Sequence, residues 1–248
     1  MAGAAIKALE AERLALLEIC AGLTDADWKA DSGCAGWSVQ DVVAHLGALF
    51  WLVVDPSALP DASSLPTERA QDVYVEARRT MGPAQILDDY ESVSAQGIER
   101  LTGLEDLDVE IGLEDFGTYP ASALPNAYCF DHYIHIRADL FAPRGPLTGS
   151  PPPSDERRLV PTVSWIATAL PQQNVDLLAA LTGSVEIEVR GPGSRTIHLG
   201  WGEPTAWISS DAPALVRWIT QRATWEETGT EAAGDQRDLA VARKLKVF

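Results

Sequence analysis

Hydrophobic side chains recur at helical spacing through the first 140 residues. Five apolar positions between residues 4 and 23 fall on one helical stripe, and Gly22 ends this first predicted helix. Ser38 and Asp41 have the three-residue spacing of an acidic capping box, with apolar residues following at helical intervals. This pattern predicts a second helix that begins after Ser38 and ends at Asp55, before a proline.

Three further segments share the helical period. They are residues 68–80, residues 83–101 and residues 125–142, the last of which ends before Pro143. Loops rich in polar residues, 56–66 and 105–118, lie between them. The segments together predict a bundle of about four main helices joined partly by long loops.

The pattern changes after residues 149–154, where three consecutive prolines predict a linker. Residues 163–181 have a helical period that Pro171 should break or kink. Residues 185–190 and 195–200 then alternate apolar and polar side chains around a Gly-Pro-Gly turn, which predicts a β-hairpin.

A third strand at residues 206–208 and a helix capped by Ser210 or Asp211 complete the second half. The predicted fold class is therefore α+β. A helical bundle over residues 1–148 precedes a small α+β domain with a hairpin over residues 155–248.

Composition and charge restrict the classes of partner that we expect for this protein. The chain has 248 residues with 19 basic and 36 acidic side chains, a net charge of −17. This charge repels phosphate backbones and anionic lipid, so we expect a small-molecule substrate and neither nucleic acid nor a membrane as partner. The three cysteines match no disulfide, metal or redox spacing, and residues 1–6 lack the pattern of a signal peptide. These features favour a cytoplasmic protein, either a monomer or a homodimer.

The candidate chemistry lies on two predicted helices. Asp131 and His135 are one helical turn apart, so both side chains can reach a single point. His45, at the edge of an apolar helix, is the natural third ligand, since two histidines and a carboxylate leave an open position on a divalent ion. Asp139 follows one turn later and can accept the free ring N–H of His135. A histidine at an apolar helix edge is more often a hydrogen-bonded structural residue, and both interpretations remain open on spacing alone.

Two segments carry a resemblance to a known family. Residues 36–46, Gly-Trp-Ser-Val-Gln-Asp-Val-Val-Ala-His-Leu, resemble a helix start of the mycothiol-dependent maleylpyruvate isomerase family. Residues 131–140, which contain two histidines and two aspartates, resemble that family's E-x-x-(V/I)-H-x-x-D-L motif. The bundle looks like the DinB-like metalloprotein fold. Residues 207–225 are similar to the family's small C-terminal domain, which is related to sterol-carrier-like domains.

The resemblance implies that His45, Asp131 and His135 bind a divalent metal ion such as zinc. The family's glutamate is Asp131 here, one methylene shorter, so His132 is an alternative ligand. The second aspartate, Asp139, follows the histidine by four residues rather than three, which would rotate it by about a third of a turn in an α-helix.

Arg222 matches the arginine of the family's C-terminal domain, where a carboxylate-bearing substrate would suit it. A surface ion pair is the alternative interpretation of Arg222. The leading hypothesis is a metal-dependent transferase or isomerase that uses a mycothiol-type thiol on a small electrophilic substrate, with Asp139 and Arg222 as catalytic residues. The alternatives are a metal-dependent hydrolase and a non-catalytic small-molecule binding protein.

Overall fold

The N-terminal half is helical, as the sequence pattern predicts. A computed structural model describes residues 3–248, so Met1 and Ala2 of the predicted first domain lie outside it. The helices of this half are α1 (Ala4–Ala21), α2 (Asp25–Lys29), α3 (Val39–Val54), α4 (Thr67–Glu76), α5 (Pro83–Leu104) and α6 (Leu124–Ile134). The four long ones, α1, α3, α5 and α6, form the predicted bundle.

The start of α3 follows the predicted capping box. Ser38 N–H donates to Asp41 Oδ2 at 2.9 Å, and Asp41 N–H donates to Ser38 Oγ at 3.2 Å. Two of the unpaired N–H groups at the helix start are thereby satisfied. The local sequence therefore determines where the helix that carries His45 begins.

The last bundle helix changes its hydrogen bonding at the candidate site. After α6 the chain continues as a π-helical turn over His135–Leu140. A π-helix bonds residue i to i+5 instead of i+4, so it holds an extra residue in the turn. The sequence predicted one continuous α-helix here, and the structure corrects that expectation.

A long helix and a short one open the C-terminal half. α7 (Glu156–Gln173) passes through Pro171 without interruption, and the break falls at Asn174, before α8 (Val175–Ala179). The Asn174 side-chain amide donates to Leu170 O at 2.8 Å and satisfies a carbonyl near the helix end. The predicted break is thus displaced by a few residues.

The sheets contain more strands than predicted. A small antiparallel pair, β1 (Glu110–Gly112) and β2 (Thr118–Pro120), lies in the predicted acidic loop. The larger sheet has β3 (Ser184–Arg190), β4 (Arg195–Gly200), β5 (Pro204–Asp211) and β6 (Glu231–Gly234) in the order β4-β3-β5-β6. The β3–β4 hairpin is confirmed, whereas the exposed edge strand β6 was missed because its Glu-Ala-Ala-Gly sequence lacks strand residues.

Three helices cover the remainder of the C-terminal half. They are α9 (Ala212–Ile219), α10 (Trp225–Thr228) and α11 (Gln236–Ala242). The structure therefore has a helical bundle and a small α/β region, and the α+β fold class is confirmed. No helix in residues 3–248 combines the length and apolar character that crossing a bilayer requires.

The two halves share a hydrophobic core. One cluster contains Phe130, Tyr133 and Ile134 of α6 together with α7, the larger sheet and α9. α7 therefore packs on the bundle although it follows the predicted linker. The division into domains at residues 1–148 and 155–248 stays a prediction.

Candidate active site

A cavity of about 1910 Å³ opens where the bundle meets the C-terminal half. Its wall includes His45 from α3, Asp131 from α6, His135 from the π-helical turn and Arg222 from the segment after α9. The three residues proposed as metal ligands from the sequence, and the arginine proposed for a carboxylate, therefore line one cavity.

His135 and Asp139 form a buried pair. His135 Nδ1 lies 2.9 Å from Asp139 Oδ2, and the Asp139 side chain is fully buried. Burial lowers the pKa of His135, but its neighbours Cys34 and Asp139 outweigh this effect and raise the pKa to about 10. Burial also opposes ionisation of Asp139, yet His135 and Arg222 hold the pKa of its carboxyl well below the usual range. The pair engages Nδ1 of His135 and leaves Nε2 available to other groups.

The four-residue spacing by itself brings His135 and Asp139 together. Residues four apart lie on the same face of a helix, so the two side chains are in contact. Both residues belong to the π-helical turn over residues 135–140, which directly follows α6.

Arg222 is held by the same carboxylate. Its Nε donates to both Asp139 oxygens at 3.0 Å, and its Nη2 donates to Oδ2 at 2.6 Å. Asp139 and Arg222 thus join the bundle to the C-terminal half through a buried ion pair, not a surface one. The Nη1 group makes only a 3.4 Å contact with Thr220 O, so this end of the guanidinium is the less engaged one.

The position of Arg222 depends on a turn that the sequence pattern did not predict. α9 ends at Ile219, three residues before Arg222. Gln221 has a φ of 57°, and Arg222 N–H donates back to Arg217 O at 2.9 Å. This left-handed helix ending directs the chain back towards the bundle.

Asp131 has the opposite environment from Asp139. Its carboxylate lines the cavity and receives no hydrogen bond or ion pair from residues 3–248. Burial raises its pKa to about 6, although the charges of His135 and Arg222 act in the other direction. This half-buried carboxylate therefore faces the cavity without a charged partner among the described residues.

His45 is buried beside aromatic rings. It is 6 % exposed, and its ring centre lies 5.1 Å from that of Trp37 and 4.9 Å from that of His135. Its Nδ1 atom is buried without a hydrogen-bond partner among the described residues. Burial, together with the charges of His135 and His132, holds its pKa well below the usual range.

His132, the alternative ligand, is bound elsewhere. Its Nδ1 lies 2.8 Å from Tyr128 O and its Nε2 lies 3.1 Å from Tyr90 Oη. Both ring nitrogens are therefore engaged in the bundle interior, and His132 is not part of the cavity wall. Burial lowers its pKa to about 4.

Cys34 is the site residue that sequence reasoning missed. Its Sγ lies 3.6 Å from His135 Nδ1, because Gly33 N–H donates to Asp139 O at 2.8 Å and holds the loop against the π-helical turn. Cys34, His135 and Asp139 are the one group in residues 3–248 whose possible ligand atoms all lie within 4.8 Å of one another. The expected set of His45, Asp131 and His135 does not meet that distance. No cysteine motif marks Cys34, so only the tertiary contact reveals it.

The cavity and its side chains define the class of protein, and the comparisons agree. The cavity brings together the imidazoles of His45 and His135, the Asp131 carboxylate and the Arg222 guanidinium, with Asp139 buried behind them. Such a gathering is typical of an enzyme for small molecules. A profile described as the mycothiol maleylpyruvate isomerase N-terminal domain matches residues 9–140, more than half of the chain. The chain belongs to this family and is an enzyme of its thiol-dependent isomerase kind.

Two solved structures share the fold. One is described as the mycothiol-dependent maleylpyruvate isomerase, with a TM-score of 0.61 and 15 % identity. The other is a mutant of that enzyme with one histidine replaced by alanine, with a TM-score of 0.59 and 14 % identity. Each comparison covers 93 % of this chain and 92 % of the other. Comparison with curated proteins gives no match.

Proposed function

We propose that this protein is a metal-dependent enzyme that uses a thiol of the mycothiol type to isomerise a small electrophilic substrate or transfer the thiol to it. Family membership supports the thiol chemistry. The single observation that supports the metal is Asp131, a carboxylate on the cavity wall that has a raised pKa and forms no hydrogen bond or ion pair with residues 3–248. A divalent cation would supply the partner that this group lacks.

The residues present fit a metal ion. His45 and His135 each offer an imidazole, and their ring centres are 4.9 Å apart. Asp131 supplies the carboxylate, and one nitrogen of His135 is already engaged by Asp139, as is usual for a metal-binding histidine. A zinc-like ion held by these three would have an open position, where it would lower the pKa of a thiol and supply a thiolate near neutral pH.

A second set of possible ligands is less suitable. Cys34, His135 and Asp139 lie closer together. However, Asp139 already binds Arg222 through both oxygens, and His135 would have to offer the same Nδ1 atom that contacts Asp139. Metal binding there would break a buried ion pair, a change that is strongly destabilising. Metal binding by His45, Asp131 and His135 would leave the ion pair of Asp139 and Arg222 intact.

Arg222 and Asp139 have different roles in this proposal. Arg222 offers Nη1 to a substrate carboxylate while Nε and Nη2 remain on Asp139. Asp139 in turn orients His135 and holds Arg222 at the cavity. The cavity therefore suits a small carboxylate that carries an electrophilic carbon.

The test uses two variants of the same protein. Wild type should bind about one equivalent of zinc or a similar ion. Loss of a residue that only supports a metal ligand weakens metal binding by roughly 10–100-fold, so His135→Ala, which removes a proposed ligand itself, should weaken it at least as much. Arg222→Ala should retain metal but turn over mycothiol and an unsaturated keto acid about 10-fold more slowly or worse, since a charge-assisted bond contributes ~1.5–3 kcal/mol.

Elemental analysis and turnover on the same preparations are the measurements. Wild type that holds less than about a tenth of an equivalent after zinc is offered, or His135→Ala that retains full metal, contradicts the metal assignment. Normal turnover in Arg222→Ala contradicts the role of Arg222 and leaves the metal assignment intact.

A further inference from the structure

The helix α4 forms one wall beside His45. An apolar cluster attaches α4 to α3 and to the loop between them, through the side chains of Ala48, Leu59, Ala62, Ala70 and Tyr74. Gln71 and Asp72, the residues next to this packed face, line the cavity. The packing of α4 therefore places two polar side chains near the candidate metal ligand on α3.

One of these side chains acts on His45 through an aromatic ring. Asp72 Oδ1 accepts a hydrogen bond of 3.2 Å from Trp37 Nε1, and the Trp37 ring lies against the His45 ring. Asp72 thus fixes one neighbour of the imidazole. It leaves the ring nitrogens of His45 without a partner of their own.

Gln71 has an atom that complements the unpaired nitrogen of His45. His45 Nδ1 and Gln71 Oε1 are both buried polar atoms without a hydrogen-bond partner among the described residues. Both residues line the same cavity, and the Gln71 side chain acts to raise the pKa of His45, so the amide lies beside the imidazole. One atom can donate a proton and the other accepts one, so pairing them would satisfy two buried groups at once.

We propose that Gln71 is the positioning residue for His45: its side-chain carbonyl accepts the Nδ1–H of the imidazole and presents Nε2 to the metal. The inference rests on the proposed function, because it concerns the same metal. It gives each histidine its own orienting partner, a neutral amide for His45 and the Asp139 carboxylate for His135. Metal-bound histidines need such a partner to hold one tautomer and one ring orientation.

The test compares zinc affinity, measured by chelator competition, in four forms of the full chain. Gln71→Leu removes the acceptor at nearly constant size and should weaken zinc binding by about 10–100-fold. Gln71→Glu keeps an acceptor and should restore binding to within a few-fold of wild type. Gln96→Leu is the matched control, because Gln96 lines the same cavity and its side-chain hydrogen bonds within residues 3–248 go only to Ser92. This variant should bind zinc as wild type does.

A spectroscopic measurement separates orientation from a loss of structure. In zinc-loaded wild type, His45 should show a protected Nδ1–H in proton–nitrogen spectra, and Gln71→Leu should lose that signal while the circular dichroism is unchanged. Tight binding and a retained Nδ1–H signal in Gln71→Leu would overturn the role of Gln71. If Gln71→Leu does not fold, weak zinc binding in folded Gln71→Glu overturns it instead. Failure of wild type itself to bind zinc would overturn the proposed function, and the inference with it.

Discussion

Two aspartates eight residues apart on one helical segment have opposite electrostatic environments. Asp139 lies against three cationic side chains, His135, Arg144 and Arg222, and His135 and Arg222 hold its pKa low although it is buried. Asp131 lines the cavity without a hydrogen-bond donor from residues 3–248, and burial is the largest influence on its pKa. The first carboxylate therefore stabilises the fold, whereas the second destabilises it unless a cation binds.

This difference predicts that Asp131→Asn stabilises the metal-free protein above about pH 6. The folded pKa of about 6 exceeds the ordinary value of 3.8, so the folded state holds the proton more tightly. Stability contributed by this group is therefore lost as pH rises from 3.8 through 6. We expect a gain of at most about 3 kcal/mol in the free energy of unfolding at pH 7.5.

Urea denaturation of chelator-treated protein at pH 4 and pH 7.5 measures the effect. The two proteins should differ little at pH 4, and Asp131→Asn should also bind zinc more weakly. An asparagine variant that is less stable than wild type at pH 7.5 would show that Asp131 already has a stabilising partner.

At the scale of elements, one loop and one helical turn build the site together. The loop that carries Cys34 is attached to the π-helical turn because Gly33 N–H donates to Asp139 O. Arg144 Nη2 donates to the carbonyl oxygen of the same glycine at 2.7 Å. A Cβ on Gly33 would lie 2.9 Å from the Cα of Asp139 and 3.0 Å from Ala138 O. The close approach of these two backbones therefore requires glycine at this position.

Gly33→Ala should destabilise the protein by about 1–3 kcal/mol, because the loop must move away from the turn. Gly103→Ala is the matched control. Gly103 lies in α5, and an added Cβ there meets no atom within 4 Å. It should stabilise the helix by about 0.5–1 kcal/mol. Chemical denaturation of both variants checks the signs, and equal effects would mean that the loop accommodates the methyl group freely.

At the scale of the molecule, a buried charge cluster joins the two halves. Glu12 Oε2 of α1 accepts a hydrogen bond of 3.1 Å from Arg137 Nη1 of the π-helical turn. Glu12 Oε1 lies 2.9 Å from Arg137 Nη2 and 3.3 Å from Arg158 Nε of α7. Arg137 also packs 4.0 Å over the Tyr133 ring and donates to Pro153 O in the predicted linker. Burial raises the pKa of Glu12, and the two arginines oppose that rise.

Removal of the shared carboxylate should leave the buried guanidinium of Arg137 without a counter-ion and Arg158 with Asp155 alone. We expect Glu12→Ala to lower the free energy of unfolding by about 3–5 kcal/mol. Glu10→Ala, on the exposed side of the same helix, should change it by less than about 0.5 kcal/mol. Denaturation monitored by tryptophan fluorescence measures both, and a Glu12→Ala effect as small as that of Glu10→Ala would show that water or relaxation replaces the carboxylate.

The sequence alone determined the features that depend on neighbouring residues. The capping box located the start of α3, the helical period gave the main bundle helices, and strict alternation identified the β3–β4 hairpin. These signals are local, because caps and periodic faces act within a few residues. From the sequence we also predicted that His45, Asp131 and His135 bind one metal ion. All three line the same cavity in the structure, and their role as ligands stays a prediction.

Only the tertiary structure decided the contacts that join distant segments. Asp139 with Arg222 and Cys34 with His135 are each more than 80 residues apart in the chain, and no spacing rule relates them. The π-helical turn was not predicted from the sequence either, and it contacts distant segments through Gly33 and Glu12. Local sequence determines where an element begins, whereas packing between elements determines which polar atoms find partners, as Asp139 does, and which do not, as for Nδ1 of His45 among the described residues.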